Sequence, residues 1–431
     1  MNFFKRTAIL FFLVIFCAGL GAAQNFPEPR QEKLLNGLKL LMWRDTSAPK
    51  VTVKLRIHDG AAFDPKDKMG TMALVADILF PNIAETKSYF AEDLEGSLDV
   101  TSNYDYIQIT ATGKPDEIQT ILETISTAVT NLPITPENFA IVRDRQLEKV
   151  KELEKNPSYI ADRAVAKRLF GDFPYGRSAD GTTESLMKID RPDLLLARDR
   201  FFTADNATLA VTGNVNADDV YRVTRQLFGA WEKAESKIPA TFRQPDAPDT
   251  KELIIESPNA EKTEMRLAAI AAPRNSKDFY ATQILNFIWQ GACLLNDESM
   301  FGKSYYQSYL LRGVFEVKRN FDLKSSMLIN TSSRCSYLPE RNNKFMYSPT
   351  NQSDFDAAKL LSTINLMQKA RNTSDLADLW LDVDTFKLIS VKDEISKLYS
   401  VTFADVHRVS EDLLEQPMVK VVVKKSEVAK Q

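Results

Sequence analysis

The same order of strands and helices occurs twice along this chain of 431 residues, and this repetition limits the folds that it can adopt. Strands in which apolar and polar residues alternate are predicted at 38–43 and 51–57, and a buried helix follows at 70–80. A stretch rich in proline, 239–248, separates this half from a second half that again begins with two strands. The pattern predicts an α+β protein of two domains, each an antiparallel-rich sheet covered by helices on one face.

The first residues indicate export. Residues 1–23 have the features of a signal peptide, because Lys5 and Arg6 precede an apolar run that ends in small residues. We therefore predict a soluble periplasmic or secreted protein, with no membrane insertion after cleavage. The predicted domains are 24–238 and 251–431, joined by a linker at 239–250.

Composition narrows the range of partners. A net charge of −3 and the lack of a basic run argue against a nucleic-acid partner. Cys293 and Cys335 are the two cysteines that follow the leader. In an oxidising compartment they could form a disulfide, and the alternative is two separate buried residues.

Several segments together resemble the pitrilysin/insulinase family of zinc peptidases, in its short bacterial and mitochondrial-processing-peptidase-like form. They are LLNGLKLLMWRDTSAPKVTVKLRI (34–57), PYGRSADGTTESL (174–186), FFTADNATLAVTGNV (201–215) and QLFGAW (226–231). The resemblance implies two homologous α/β sandwich domains that form part of a chamber for extended peptides.

The resemblance also places the residues of the zinc site. The family's inverted motif H-x-x-E-H supplies two histidine ligands and a glutamate that activates water. Here Ala73 stands at the first histidine, Ala76 at the glutamate and Asp77 at the second histidine. The third ligand position falls on Lys149, or on Glu148 if the register shifts by one. Alanine has no metal-binding group and an ammonium repels a cation, so the resemblance implies a degenerate member without a zinc cofactor.

The histidine count supports this interpretation without an alignment. The whole chain contains two histidines. They are His58 and His407, predicted in different domains, and each fits an ordinary surface or capping residue. A peptidase with another kind of active site remains a weaker alternative.

Asp77 and Lys149 suggest a structural replacement for the metal. If their helices pack as the resemblance implies, a carboxylate and an ammonium would stand where two zinc ligands converge. One hypothesis is that they form an ion pair between the helices. The alternative is that both side chains extend into solvent.

Two further sites follow from the resemblance. The edge strand near Thr101, Ser102, Asn103 and Tyr104 corresponds to the place where active relatives add a peptide strand. In paired subunits, the inactive partner supplies an arginine and a tyrosine around a glycine, here Gly313. The tyrosine position is then Glu316, and the arginine position is Tyr309 or, with a different gap, Tyr305. Arg312 lies nearby, and the tyrosines could equally be packing residues on a helix.

These observations favour a non-catalytic peptidase homologue. The main hypothesis is an inactive subunit that pairs with a zinc-carrying subunit of the same family, or with itself, and encloses peptides or unfolded polypeptide. The alternative is a stand-alone peptide-binding or scaffold protein that has no peptidase partner.

Overall fold

The computed structural model describes residues 27–235, 242–293, 303–321 and 351–426. These residues form two β-sheets and thirteen α-helices. The strands are β1 Arg30–Lys33, β2 Lys39–Arg44, β3 Val51–Ile57, β4 Ser97–Ser102, β5 Ile107–Gly113, β6 Ala207–Gly213, β7 Leu253–Ser257, β8 Thr263–Ala271, β9 Lys303–Ser308, β10 Gly313–Phe321 and β11 Val419–Lys425. The helices are α1 Thr71–Ile78, α2 Ile83–Glu92, α3 Ile118–Thr130, α4 Pro136–Leu153, α5 Pro157–Phe170, α6 Thr183–Lys188, α7 Arg191–Phe201, α8 Ala217–Phe228, α9 Phe279–Cys293, α10 Gln352–Arg371, α11 Thr373–Thr385, α12 Val391–Ser400 and α13 Phe403–Glu415.

The two sheets share one topology. The first has the order β1-β2-β6-β3-β5-β4, and the second has the order β7-β11-β8-β10-β9. Each sheet has one parallel pair, β2 with β6 in the first and β7 with β11 in the second. The neighbouring pairs are antiparallel, and the strand directions follow the same order in both sheets. Strand β1 has no counterpart in the second sheet within the described residues. The prediction of an α+β fold with two homologous halves is confirmed.

Each sheet has a helical layer on one face. In the first half, the apolar side chains of β2, β3, β5 and β6 pack against α1, α3, α4, α7 and α8. Helix α3 illustrates this packing. Its apolar residues Ile121, Leu122, Ile125 and Val129 recur at helical spacing and are all buried. In the second half, Leu267 and Phe315 belong to a core that includes α9, α10 and α13.

The opposite face of each sheet is covered by a helix from the other half. Helix α11 lies on β3 and β6 of the first sheet, and α5 lies on β8 and β11 of the second. The expectation that helices cover only one face is therefore wrong. The sequence pattern does not reveal that each of these helices covers the sheet of the other half, since the sequence of a helix does not indicate which sheet it covers.

Two equivalent hairpin turns meet at the junction between the halves. The backbone N–H of Asn103 donates to Tyr106 at 3.0 Å and closes the β4–β5 turn. The N–H of Tyr309 donates to Arg312 at 3.0 Å and closes the β9–β10 turn. The rings of Tyr104 and Tyr309 lie 5.3 Å apart between their centroids, so the two turns are in direct contact.

Some local expectations fail or are not addressed. The sequence of residues 93–98 predicts a short helix, and this prediction is wrong, because α2 ends at Glu92 and β4 begins at Ser97. The expected signal peptide, Cys335 and the side chain of Cys293 lie outside the described residues, and the domain boundaries stay a prediction. Among the residues that are described, no helix is long and apolar enough to cross a bilayer.

Candidate functional site: the degenerate metal centre

The N-terminus of α1 is held by a buried carboxylate and a close glycine contact. Asp64 accepts hydrogen bonds from the backbone N–H of Gly70 at 2.7 Å and of Met72 at 2.9 Å. Burial raises the pKa of Asp64 to about 7. Gly70 has a φ of 93°, and a Cβ there would lie 2.9 Å from the Cα of Gly181. These contacts fix α1 against the segment that carries Gly181.

The three positions of the zinc motif lie on this helix. Ala76 is buried, and Ala73 and Asp77 are half-buried on the adjoining side. Only Asp77 carries a group that binds metal, and protein zinc sites use three or four such ligands. Nowhere in the described residues do three or more His, Cys, Asp or Glu side chains form a group that could hold a metal ion. This donor set does not fit the zinc ion of the family, and no catalytic step can be derived through one.

The third position, Lys149, lies on α4, which faces α1. The Lys149 ammonium is 2.7 Å from the Asp180 carboxylate, on the segment that follows α5. One turn earlier, the buried side chain of Gln146 donates to the backbone carbonyl of Asp180 at 2.8 Å. Helix α4 therefore holds the Asp180 segment through both a neutral and a charged contact.

The hypothesis of a direct ion pair between Asp77 and Lys149 is wrong in its partners. The cation beside Asp77 is Arg145, whose Nη2 lies 3.9 Å from the carboxylate, while Lys149 is paired with Asp180. Burial raises the pKa of Asp77, and the charges of Arg145 and Lys149 act in the opposite direction. Lys149 pairs with Asp180 because the Asp180 carboxylate lies closer to its ammonium than the Asp77 carboxylate does.

Arg145 is a member of this site that the sequence comparison with the family does not point to. It lies four residues before Lys149, and this spacing puts both cations on one face of a helix. Its Nη1 also donates to the carbonyl of Pro81 at 2.8 Å. We call Asp77, Arg145, Lys149 and Asp180 the charged cluster. It joins α1, α4 and the Asp180 segment, and it includes Asp77 and Lys149, two positions that the resemblance assigns to the zinc ligands.

Both histidines are occupied by other contacts. The ring nitrogens of His58 lie 2.9 Å from the hydroxyls of Thr208 and Thr385, so this side chain joins the first sheet to α11. The expectation of a surface or capping residue is therefore wrong for His58. His407 is half-buried, and its Nδ1 lies 3.3 Å from the carboxylate of Glu411 on α13.

Two of the four residues predicted to form a peptide-binding edge strand lie on a strand at the edge of a sheet. Thr101 and Ser102 lie on β4, which is an edge strand of the first sheet. Asn103 and Tyr104 lie beyond it, in the turn, and their carbonyls accept from Ala61 and Ala62. Tyr104 is also buried, and its hydroxyl donates to the Arg177 carbonyl at 2.7 Å. Asn103 and Tyr104 are therefore structural residues rather than part of a free edge.

The closing hydrogen bond of the turn determines which backbone groups point outward. In an antiparallel pair, alternate residues direct their N–H and C=O toward the partner strand. Because Asn103 bonds to Tyr106, Thr101 faces β5 and the intervening residues, Val100 and Ser102, face away. No protein partner for these outward groups occurs among the described residues. They are available for a further strand.

The three candidate residues of the second half lie at the junction, not on a helix. Tyr305 is on strand β9, and the ring of Tyr309 lies 4.7 Å from that of Tyr175. Arg312 donates to the carbonyl of Leu311 at 2.9 Å and to Gln244. The hydroxyl of Tyr309 donates to Gln307 at 2.9 Å. The polar groups of Tyr309 and Arg312 are therefore engaged within the chain.

A buried polar contact accompanies these rings. The Asp105 carboxylate accepts from the Tyr175 hydroxyl at 3.1 Å and from the backbone N–H of Leu310 at 3.2 Å. Burial raises the pKa of Asp105 to about 6 despite these two donors. The contact links the turn of one half to the turn of the other.

Comparison with known proteins agrees with the fold. The family model described as insulinase (peptidase family M16) matches residues 39–183, and the model described as peptidase M16 inactive domain matches residues 188–311. An uncharacterized zinc protease of Rickettsia felis is 21% identical over 266 residues, which cover 60% of this chain and 63% of that protein. A probable mitochondrial-processing peptidase subunit beta of Arabidopsis thaliana is 23% identical over 47% of this chain and 39% of its own length. The matches thus span less than two thirds of these curated relatives.

Solved structures match over more of the chain. A protease from Helicobacter pylori superposes with a TM-score of 0.80 at 15% identity, over 92% of this chain and 100% of that one. A peptidase M16 inactive domain from Pseudomonas fluorescens gives a TM-score of 0.77 at 18% identity, over 94% and 99% of the two chains. At such low identity these likenesses show the fold. Together with the two family models, they show that this chain belongs to the pitrilysin/insulinase (M16) family of peptidases.

Proposed function

We propose that this chain is a non-catalytic member of the family that binds extended peptides and acts as the inactive subunit beside a zinc-carrying subunit. The observation that carries the proposal is the charged cluster. Ala73 and Lys149 stand at positions where the reaction needs metal ligands, and Ala76 stands where it needs a base. The lone carboxylate of Asp77 is set beside Arg145. Ala76, at the position of the glutamate that activates water, has no group that could accept a proton.

Peptide binding is supported by the edge of β4. The outward N–H and C=O groups of Val100 and Ser102 match the backbone of an extended peptide, which can add as a further strand. Such binding needs neither a metal nor a base. The site can therefore keep the recognition part of peptidase function after losing the chemical part.

Pairing is supported by the relatives. One of them is named as a subunit of a mitochondrial-processing peptidase. A zinc-carrying partner would supply the ligands and base that Ala73, Ala76 and Lys149 cannot. Because residues 1–23 have the features of a signal peptide, we propose that this assembly acts in the periplasm or outside the cell.

The experiment is co-expression with a zinc-carrying family member from the same genome, followed by affinity purification, metal analysis and a peptide-cleavage assay. We expect a stable complex with one zinc ion per pair, and no cleavage by this chain alone. Stoichiometric zinc and cleavage by the isolated chain would refute the proposal.

A second candidate function is a peptide-binding protein without a peptidase partner. It is favoured by the β4 edge, which is complete within this one chain. Failure of the two chains to associate, together with peptide binding by this chain alone, would select it. Binding can be tested with Ser102→Pro, which removes an outward N–H. The matched control is Asp99→Pro, which removes an N–H directed at β5 and should disturb the sheet itself.

A further inference from the structure

Five charged side chains meet where helix α5 of the first half lies on the second sheet. We call them the junction cluster: Asp162 on α5, Glu264 and Arg266 on β8, and Glu316 and Lys318 on β10. Arg266 is 2% exposed and Glu316 is 6% exposed, so the centre of the cluster is shielded from water.

The cations of the sheet hold the helix through Asp162. Its Oδ1 lies 2.5 Å from Nε of Arg266, and its Oδ2 lies 2.8 Å from Nζ of Lys318. Arg266 also donates to the hydroxyl of Ser158, the second residue of α5, at 2.6 Å. This corner of α5 is thus attached to the second sheet by charge-assisted hydrogen bonds.

The cluster contains three carboxyl groups and two cations. Glu264 has good partners, because its oxygens accept from Arg266 at 2.9 Å and from Asn320 at 2.5 Å. Glu316 does not. Its Oε1 is buried without a hydrogen-bond partner, and its Oε2 lies 3.4 Å from Lys318. Glu316 is therefore the carboxyl group whose ionisation is least compensated.

We propose that Glu316 is a proton-dependent latch between the two halves of the chain. Neutral Glu316 leaves Lys318 bound to Asp162, and α5 stays attached to the second sheet. Ionised Glu316 competes for Lys318, adds a third negative charge to a buried site and weakens the attachment. The latch regulates the junction itself and does not depend on the proposed peptide-binding role.

Within the described residues, the second cation beside Glu316 is Arg266, whose Nε lies 3.9 Å from Oε1 and which is bound more closely to Asp162 and Glu264. Facing Glu316 are Asp162 from α5, Glu264 and Arg266 from β8, Tyr305 directly opposite on β9, and Tyr309 from the turn. Lys303 lies opposite Lys318, at the exposed end of β9, with its ammonium 5.8 Å from the Tyr305 ring. Burial raises the pKa of Glu316 to about 7, and Asp162 adds to the rise while Lys318 and Arg266 oppose it.

Hydrogen–deuterium exchange of α5 in the full chain tests the latch. An opened junction exposes Glu316, which then has the ordinary pKa of a glutamate. The opening equilibrium should therefore rise about tenfold between pH 6 and pH 8, after correction for intrinsic exchange. The amides of α5, residues 157–170, should show this loss of protection, and those of α3 should not.

Glu316→Gln provides the decisive comparison, because it keeps the size of the side chain and stays neutral. In this variant the protection of α5 should be the same at both pH values. The matched control is Glu256→Gln on β7, an exposed glutamate paired with Lys424, which should retain the tenfold change. A pH response that persists in Glu316→Gln, or that is missing from the wild type, overturns the proposal.

Asp162→Asn provides the test if Glu316→Gln does not fold. Without the Asp162 carboxylate, Lys318 is left to Glu316 and Arg266 is shared by Glu264 and Glu316, so the ionisation of Glu316 should move to lower pH. The protection of α5 should then be constant between pH 6 and pH 8. An unchanged response in this variant would also contradict the latch.

Discussion

Arg56 donates a hydrogen bond to Asp382 at 2.7 Å, although 326 positions separate the two residues. Arg56 lies on β3 of the first sheet, and Asp382 lies on α11 from the second half. On the same strand, Lys54 is bound to Asp378 of α11 at 2.6 Å. The junction cluster repeats this arrangement with the roles of the halves exchanged. Each sheet presents a buried arginine and a lysine to acidic side chains of the helix that it receives.

Arg56→Met should lower the free energy of unfolding by about 3 kcal/mol, because Asp378, Asp382 and Gln108 would lose a buried cationic donor. Urea denaturation measures this change. Arg30→Met is the control, since its pair with Asp218 is exposed and should contribute less than about 1 kcal/mol. Equal effects of the two substitutions would contradict a specific role for the junction.

Gly70→Ala should destabilise the chain by about 3 kcal/mol, from its positive φ and the close approach to Gly181. Gly171→Ala separates these causes, because Gly171 has a φ of 57° and no atom lies within 4 Å of the place that an added methyl group would take. This control should cost about 1–2 kcal/mol. Thermal unfolding of both variants measures the difference, and equal losses would show that the contact with Gly181 is unimportant.

Gln146→Leu should cost more than Lys149→Ala, although only the lysine is charged. The Gln146 amide is buried, and its loss leaves the Asp180 carbonyl without a donor, at about 1–3 kcal/mol. The Lys149–Asp180 pair is partly exposed and should contribute less than about 1 kcal/mol. Chemical denaturation of the two variants tests this order. The opposite order would make the charged cluster the main link between α4 and the Asp180 segment.

Asp105 should make the chain more stable in mild acid than at neutral pH. Its pKa is raised from 3.8 to about 6 in the folded state, so folding favours the protonated form. The contribution is complete below about pH 4 and is lost as the pH rises through 6, a change of about 3 kcal/mol. Melting temperatures between pH 4 and 8 should show a weaker pH dependence in Asp105→Asn than in the wild type. An identical profile in both proteins would rule out this carboxyl as the cause.

A chelator should leave the melting temperature of this chain unchanged. Among the residues that the structure describes, none of the four positions Ala73, Ala76, Asp77 and Lys149 belongs to a group of metal donors. Calorimetry with and without EDTA measures the effect, and a zinc-carrying relative is the control that should lose stability. A fall of several degrees for this chain would reveal a structural metal.

The fold was predictable because its signals are local. Alternating residues in β3 and β5 and the helical spacing of Ile121, Leu122 and Ile125 indicate strands and helices directly. The prediction that zinc ligands are missing also rests on local information, since Ala73 and Ala76 lack metal-binding atoms whatever surrounds them.

The contacts of the site were less accessible to sequence reasoning. Lys149 pairs with Asp180 because the Gly70–Gly181 contact brings a distant segment beside α4. No local pattern reports that approach. The burial of Tyr104 was unpredictable for the same reason, because its neighbours Arg163 and Tyr175 come from α5 and the turn after it.

The exchange of α5 and α11 between the halves has a consequence during synthesis. The first sheet receives its covering helix only when residues 373–385 have left the ribosome. Until then the cations of β3 lack their acidic partners, and Leu41 and Trp43 lack the apolar neighbours that α11 provides. The nascent first half should therefore need protection by a chaperone until nearly the whole chain has been translated.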